Sequence, residues 1–178
     1  MNITRSSSPL ATAAPIHGAI DRVVSGLTVT SAVGAGLMAG LLFAFSTSVM
    51  PALKEQPSAS AIATMQSANV TILNPVFLLL FVGTTAACVL LACTTPFAHG
   101  GGSLLRVVGA LLFVVGCIVV TAGINVPMND TLATFDPTAP GAATYWATYL
   151  HRWTISNGSR TSASAVACAL LTVAATRG

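Results

Sequence analysis

The sequence predicts an all-α integral membrane protein, a four-helix bundle with polar outer loops. Only 6% of its 178 residues are charged, whereas a soluble globular domain carries about 25%. Seven basic and four acidic side chains are too few to cover a soluble surface of this size. Four apolar runs have roughly the length of a transmembrane helix. The sequence therefore predicts that the protein is embedded in a lipid bilayer.

Each span is predicted from an apolar run and its polar ends. Pro51 closes the first run, and Asn125-Val126-Pro127 ends the third, because proline disfavours helix in the residue before it. The fourth run is short, so we expect its helix to begin upstream, near Ala142. A short interfacial helix is expected between the first two spans. The predicted spans cover about residues 26–50, 70–95, 104–124 and 155–176.

Residues 1–22 are predicted to form a flexible tail, and residues 23–178 a single transmembrane domain. The tail lacks the apolar core of a signal peptide. Four spans place both termini on one side of the membrane. That side would hold four of the seven basic residues. This slight excess predicts cytoplasmic termini in a bacterial plasma membrane. The basic residues form no cluster, so no nucleic acid partner is expected.

Small residues recur at every fourth position of the first span, at Ala32, Gly36 and Gly40. This pattern lets two helices approach closely. Packing within one chain is the first interpretation, and a homo-oligomer interface is the second.

Amide side chains are concentrated at one end of the predicted bundle. Five of the six asparagines lie in three short stretches that flank apolar runs. Unpaired amides are costly in hydrocarbon, so we expect them to converge on a lipophilic small molecule. For Asn74 and Asn125, which lie beside prolines, helix capping is an equal alternative. The predicted binding residues are Gln66, Asn69, Asn74, Asn125, Asn129, Tyr149 and Trp153.

The fourth segment carries a polar and aromatic stripe. Its members follow one another at intervals of three or four, which places them on one helix face. The alternative is an aromatic belt at the membrane surface with an arginine that reaches the headgroups. The stripe consists of Tyr145, Tyr149, Trp153, Asn157, Arg160 and Ser164.

No metal and no cofactor is predicted. His17, His99 and His151 lie in three separate segments without ligand spacing. No histidine lies within a span to hold haem, and no glycine-rich dinucleotide motif is present. The four cysteines lack the spacing of a metal site and are interpreted as small buried apolar residues.

Four segments occur in a characteristic order: GLMAGLLFAFSTSVMPAL, TMQSANVTILNPVF, NVPMNDTLA and WATYLHRWTISNGSRTSAS. Together they resemble the anthrone oxygenase-like family of four-helix membrane proteins. The resemblance covers about Gly26 to Leu171. Its most specific elements are NVPMN and the spaced set Trp146, Trp153, Asn157 and Arg160.

The resemblance implies oxidation of a lipophilic aromatic compound, anthrone-like or quinol-like, by O₂. Fungal members are associated with the conversion of anthrones to anthraquinones. An anthrone enolate reacts with O₂ directly, so the resemblance implies a monooxygenase that needs no cofactor. The alternative is a non-catalytic membrane binding or accessory protein, in which the amide cluster locks the bundle or holds a lipid.

Under the enzyme hypothesis the cluster stabilises an oxyanion at the extracytoplasmic end of the helices. Arg160 and the NH₂ groups of Asn125, Asn129 and Asn157 would donate to that oxyanion. Tyr149 and Trp153 would stack on the substrate ring. The base would be His151 or Asp130. The candidate catalytic residues are thus Arg160, Asn157 and His151.

Overall fold

The structure, a computed structural model, describes the backbone of residues 14–177 and the side chains of residues 18–177. The described residues are helical with short connections, which confirms the predicted all-α class. The helices are α1 (Ala14–Ala44), α2 (Met50–Lys54), α3 (Ser58–Thr71), α4 (Pro75–Thr94), α5 (Ser103–Phe113), α6 (Val126–Ala133) and α7 (Ala142–Ala175). Two π-helical stretches, Val114–Val119 and Thr121–Asn125, join α5 to α6, and a third, Phe45–Val49, joins α1 to α2.

Four helices, α1, α4, α5 and α7, form an antiparallel bundle. Both α1 and α5 pack against α4 and α7. The His99 backbone N–H, just after α4, donates to Asp21 Oδ1 near the start of α1. Gly102 at the start of α5 lies against Ala174 at the end of α7. The opposite end of the bundle, where α2, α3 and α6 lie, is called the amide end below.

The protein is an integral membrane protein. In the part of the chain that the structure describes, three helical stretches are long and apolar enough to cross a membrane: Gly18–Lys54, Pro75–Phe97 and Ser103–Ala133. Many large apolar side chains of these stretches are exposed, from 39% at Val108 to 79% at Val76, as a lipid-facing surface requires. With 34 residues α7 is long enough to span as well, but it is more polar. The count of four spans therefore stays a prediction.

The structure moves two of the predicted boundaries. Residues 1–13 of the predicted tail lie outside the described residues, but the chain is helical from Ala14 onward. The apolar run that begins at Val70 is divided, because Asn74 starts a new helix. Asn74 Oδ1 accepts from the backbone N–H groups of Val76 and Phe77, and Pro75 occupies the first turn, where its missing N–H is not needed.

Pro51 and Pro127 do not end their helices, contrary to the prediction. A π-helical stretch ends two residues before each of them, at Val49 and at Asn125. In a regular α-helix the proline ring collides with the carbonyl four residues earlier. We attribute the passage of both helices through their prolines to the wider π turn, which changes the position of that carbonyl. The third span consequently continues to Ala133 and carries its amides over the amide end.

The close approaches of α1 differ from the predicted small-residue pattern. A Cβ added at Gly40 would have open space around it, and one at Gly36 would lie 3.1 Å from Cys168 Sγ of α7. The tightest contact is at Gly34, where a Cβ would overlap the Thr84 side chain of α4. Thus α1 uses Gly36 to approach α7 and Gly34 to approach α4, within one chain.

We predict that Gly34→Ala destabilises the bundle by about 1–3 kcal/mol, the typical cost of overpacking. The added methyl group must displace Thr84, which is itself buried. The matched control is Gly40→Ala in the same helix, which should be neutral or slightly stabilising, because alanine favours helix over glycine. Melting temperatures in detergent measure both effects, and equal values for the two variants would contradict the prediction.

Candidate functional site

A cavity of about 350 Å³ lies at the amide end of the bundle. Its size falls within the range of small-molecule pockets, about 300–1,000 Å³. It is enclosed by α1, the junction of α3 and α4, the path from α5 to α6, and α7. Leu41, Phe45, Phe77 and other apolar side chains form most of its wall. The polar side chains in the lining are Gln66, Asn69, Thr121, Asn125, Asn129, Asp130 and Arg160, with the indole of Trp153.

Four of these lining residues have a buried polar atom without a hydrogen-bond partner. The atoms are Asn69 Nδ2, Asn125 Oδ1, Trp153 Nε1 and Arg160 Nε, and the last three side chains are only 2%, 5% and 6% exposed. Such an atom destabilises the folded state by roughly 1–3 kcal/mol when it stays unpaired. A ligand with a carbonyl or hydroxyl group would remove part of that cost. The region around the cavity therefore holds three unused donors and one unused acceptor.

The Asn157 side chain joins α7 to the first span beside the cavity. It is fully buried, and its Nδ2 donates to the Leu42 backbone oxygen and to Ser46 Oγ, both at 2.7 Å. Ser46 belongs to the π-helical stretch of the first span. The other amide atom, Oδ1, lies 3.5 Å from Nη1 of Arg160. Arg160 is thus held inside the bundle, and the alternative in which it reaches the headgroups is wrong.

A second set of polar contacts joins α3, α6 and α7 beside the cavity. Gln66 Nε2 donates to the backbone oxygens of Leu132 and Phe135, at 2.8 and 2.9 Å, and so joins α3 to the end of α6. The Tyr149 hydroxyl donates to Asn129 Oδ1 at 2.8 Å. Tyr149 precedes the predicted fourth span, and burial raises its pKa, an effect that the nearby Asn69 side chain partly opposes. The hydroxyl therefore stays protonated and remains a donor.

The structure brings together eight of the ten predicted site residues. Two of the eight do not line the cavity but contact residues that do: Asn157 accepts from Arg160, and Tyr149 donates to Asn129. The remaining six line the cavity itself: Gln66, Asn69, Asn125, Asn129, Trp153 and Arg160.

Asn74 and His151 are not part of this group. Asn74 is exposed and caps α4, which is the alternative that the sequence left open. His151 is exposed and lies two residues from Trp153, about 200° away around the helix axis. The prediction of His151 as the base of this site is therefore wrong. Asp130, the other candidate base, does line the cavity.

The family model described as anthrone oxygenase matches residues 74–170, more than half of the chain. The chain belongs to the anthrone oxygenase family. No match was found among curated proteins or among solved structures. In this anthrone oxygenase family member the match includes Asn125, Asp130, Trp153 and Arg160. The cavity residues of α1 and α3 lie before it.

Sequence reasoning missed most of the apolar wall of this anthrone oxygenase family member. Phe45 lies beside Trp153 with ring centroids 6.0 Å apart, and no polar pattern marks it. Ser156, whose hydroxyl accepts from Asn125 Nδ2 at 2.9 Å, lies one residue off the predicted stripe. Within residues 18–177, no group of three or more His, Cys, Asp or Glu side chains is arranged to hold a metal ion.

We predict that Gln66→Glu destabilises the protein by about 1–3 kcal/mol, because it replaces an N–H donor by an oxygen opposite two carbonyl oxygens. Gln56→Glu, at an exposed glutamine, makes the same chemical change without such partners and should have little effect. Thermal unfolding of both variants in detergent at neutral pH measures the difference. An unchanged melting temperature for Gln66→Glu would show that these bonds contribute nothing.

Proposed function

We propose that this anthrone oxygenase family member binds a flat, lipophilic aromatic ketone in the cavity and oxidises it with O₂. One observation carries the proposal: Arg160 and Trp153, two buried side chains with unused N–H donors, line a cavity whose wall is otherwise mainly apolar. A hydrophobic wall with a few polar groups is typical of a site that orients a small aromatic ligand.

The proposed reaction balances without an external reductant. An anthrone-type substrate carries a methylene group across the central ring from its ketone. Loss of one methylene proton places negative charge on the ketone oxygen. The resulting carbanion centre bonds to O₂, and the hydroperoxide then loses water to form a second ketone. One substrate molecule and one O₂ thus become one quinone and one water.

Arg160 and Trp153 are the proposed donors to the ketone oxygen. Their hydrogen bonds strengthen as negative charge grows on that oxygen, which favours the transition state over the substrate. Both N–H groups of Asn157 already donate, to Leu42 and to Ser46, so this amide is not the free donor that the sequence predicted. Asn125 donates one N–H to Ser156 and keeps a second. Asn157 instead positions Arg160.

Asp130 is the proposed proton acceptor. It is the acidic residue in the cavity lining, and it is exposed, so it can pass the proton on to water. The same side of the cavity offers a route for the substrate. Val70, Leu73 and Val126 line the cavity and are also exposed, which gives a lipophilic compound an apolar entrance beside the bilayer.

A non-catalytic binding or accessory function is the second candidate. It is favoured by the Gln66 and Asn157 amides, which are engaged in bonds that join helices. Under this hypothesis the amide cluster stabilises the bundle, and the cavity holds a ligand without chemical change.

We expect Arg160→Lys to lower kcat/KM for an anthrone by about 100-fold, the effect of losing one oxyanion donor. Lysine keeps the charge but loses the planar arrangement of N–H groups, so the fold should persist. Quinone absorbance and O₂ uptake by the purified protein measure turnover, and melting temperature measures folding. Arg152→Lys, at an exposed arginine outside the cavity, is the control. A wild-type protein that binds the anthrone without O₂ uptake would support the accessory function instead.

We expect Asp130→Asn to lower kcat by about 100-fold or more, as removal of a general base does, with little change in ligand binding. Asp136→Asn is the matched control, because it removes the same charge in an exposed loop and keeps the oxygen that accepts from Thr138. Ligand binding is followed by quenching of tryptophan fluorescence. Wild-type turnover in Asp130→Asn would exclude this carboxylate as the base.

A further inference from the structure

A second cavity, of about 540 Å³, lies on a different side of α7 and shares no lining residue with the first. It is a groove formed where α2 ends, α3 begins and the N-terminal half of α7 passes. Five of its lining residues matter here: Lys54, Ser58, Trp146, His151 and Ile155. We refer to it as the outer groove.

Helix α3 begins at the outer groove, where Ser58 is one of the lining residues. This helix has 14 residues and begins at Ser58, and no side chain caps it. The first N–H groups of a helix have no partner within the helix and carry the positive end of its dipole. A helix start of this kind binds phosphate and other anions.

An indole nitrogen provides an independent sign of a missing acceptor. Trp146 lines the outer groove, is only 4% exposed, and its Nε1 is buried without a hydrogen-bond partner. An indole N–H can only donate, so it requires an acceptor. Its ring is fixed by stacking on Tyr149, with centroids 5.6 Å apart.

The charges at the outer groove have one sign. Lys54 and His151 both line it, and no aspartate or glutamate is among its lining residues. Lysine carries a positive charge and three N–H donors, and a histidine ring also has an N–H that can donate. The helix start, the indole N–H and these two side chains therefore all favour an anion.

The position of the outer groove indicates where the anion comes from. Ile155, which is 61% exposed, lines the groove and stands at the start of the predicted fourth span. Lys54 ends the first of the long apolar helices. The groove therefore lies where the apolar surface meets the polar end of the bundle. We propose that it binds the phosphate group of an anionic phospholipid, with the acyl chains along the apolar face below Ile155.

The proposed lipid site is tested by the thermal stability of the purified protein in detergent. Phosphatidylglycerol, phosphatidylcholine and inorganic phosphate are added separately at equal phosphate concentration. We expect phosphatidylglycerol to raise the melting temperature by about 3–6 °C at tenfold excess over its dissociation constant. Phosphatidylcholine should have a much smaller effect. An equal increase with phosphatidylcholine, or none with any addition, overturns the proposal.

Substitutions at the outer groove test whether phosphatidylglycerol raises the melting temperature by binding there. Lys54→Gln, His151→Gln and Trp146→Phe should each remove at least half of the increase caused by phosphatidylglycerol, whatever their own melting temperature. Arg152→Gln is the matched control, because Arg152 is exposed beside His151 but does not line the groove. A loss of the increase in Arg152→Gln equal to that in Lys54→Gln overturns the site. If inorganic phosphate alone reproduces the whole increase, a lipid is not the ligand.

Discussion

The two hydrogen bonds from Asn157 to Leu42 and Ser46 are the constraint on which the amide end depends. They join α7 to the first span deep in an apolar bundle, where water cannot replace a lost partner. Because both N–H groups of this amide are engaged with α1, its oxygen remains for Arg160. The guanidinium is thereby kept beside the cavity instead of extending to the headgroups. A contact between helices thus keeps Arg160 in the cavity lining.

Two of the three described π-helical stretches give the amide end this geometry. One contains Ser46 and the other ends at Asn125, so each contributes a residue to the polar contacts of α7. Each also precedes a proline by two residues, and the helix continues beyond it. Local departures of this kind frequently occur at functional sites. Here they do two things at once: they accommodate a proline and orient a polar side chain toward α7.

Residues 146–160 of α7 separate two environments. One face, with Trp153 and Arg160, lines the cavity of the proposed oxidation, and another, with Trp146 and His151, lines the outer groove. Helical spacing alone produces this division, since neighbouring residues differ by about 100° around the axis. It also explains why histidine and arginine, close in sequence, belong to different sites. The aromatic rings between them pack into one buried cluster with α2 and α3.

The sequence by itself determined the all-α membrane class, the family and the convergence of most of the amides. Charge deficit, apolar runs and the interval of three or four residues along α7 are local properties, so the chain shows them without any knowledge of its tertiary contacts. The sequence did not determine how the prolines are accommodated, because a π turn has no strong local signal. Nor could it assign His151 to a groove, identify Gly34 as the closest approach to α4, or show that both N–H groups of Asn157 are already engaged. Those outcomes depend on which helices become neighbours, and only the tertiary structure decides that.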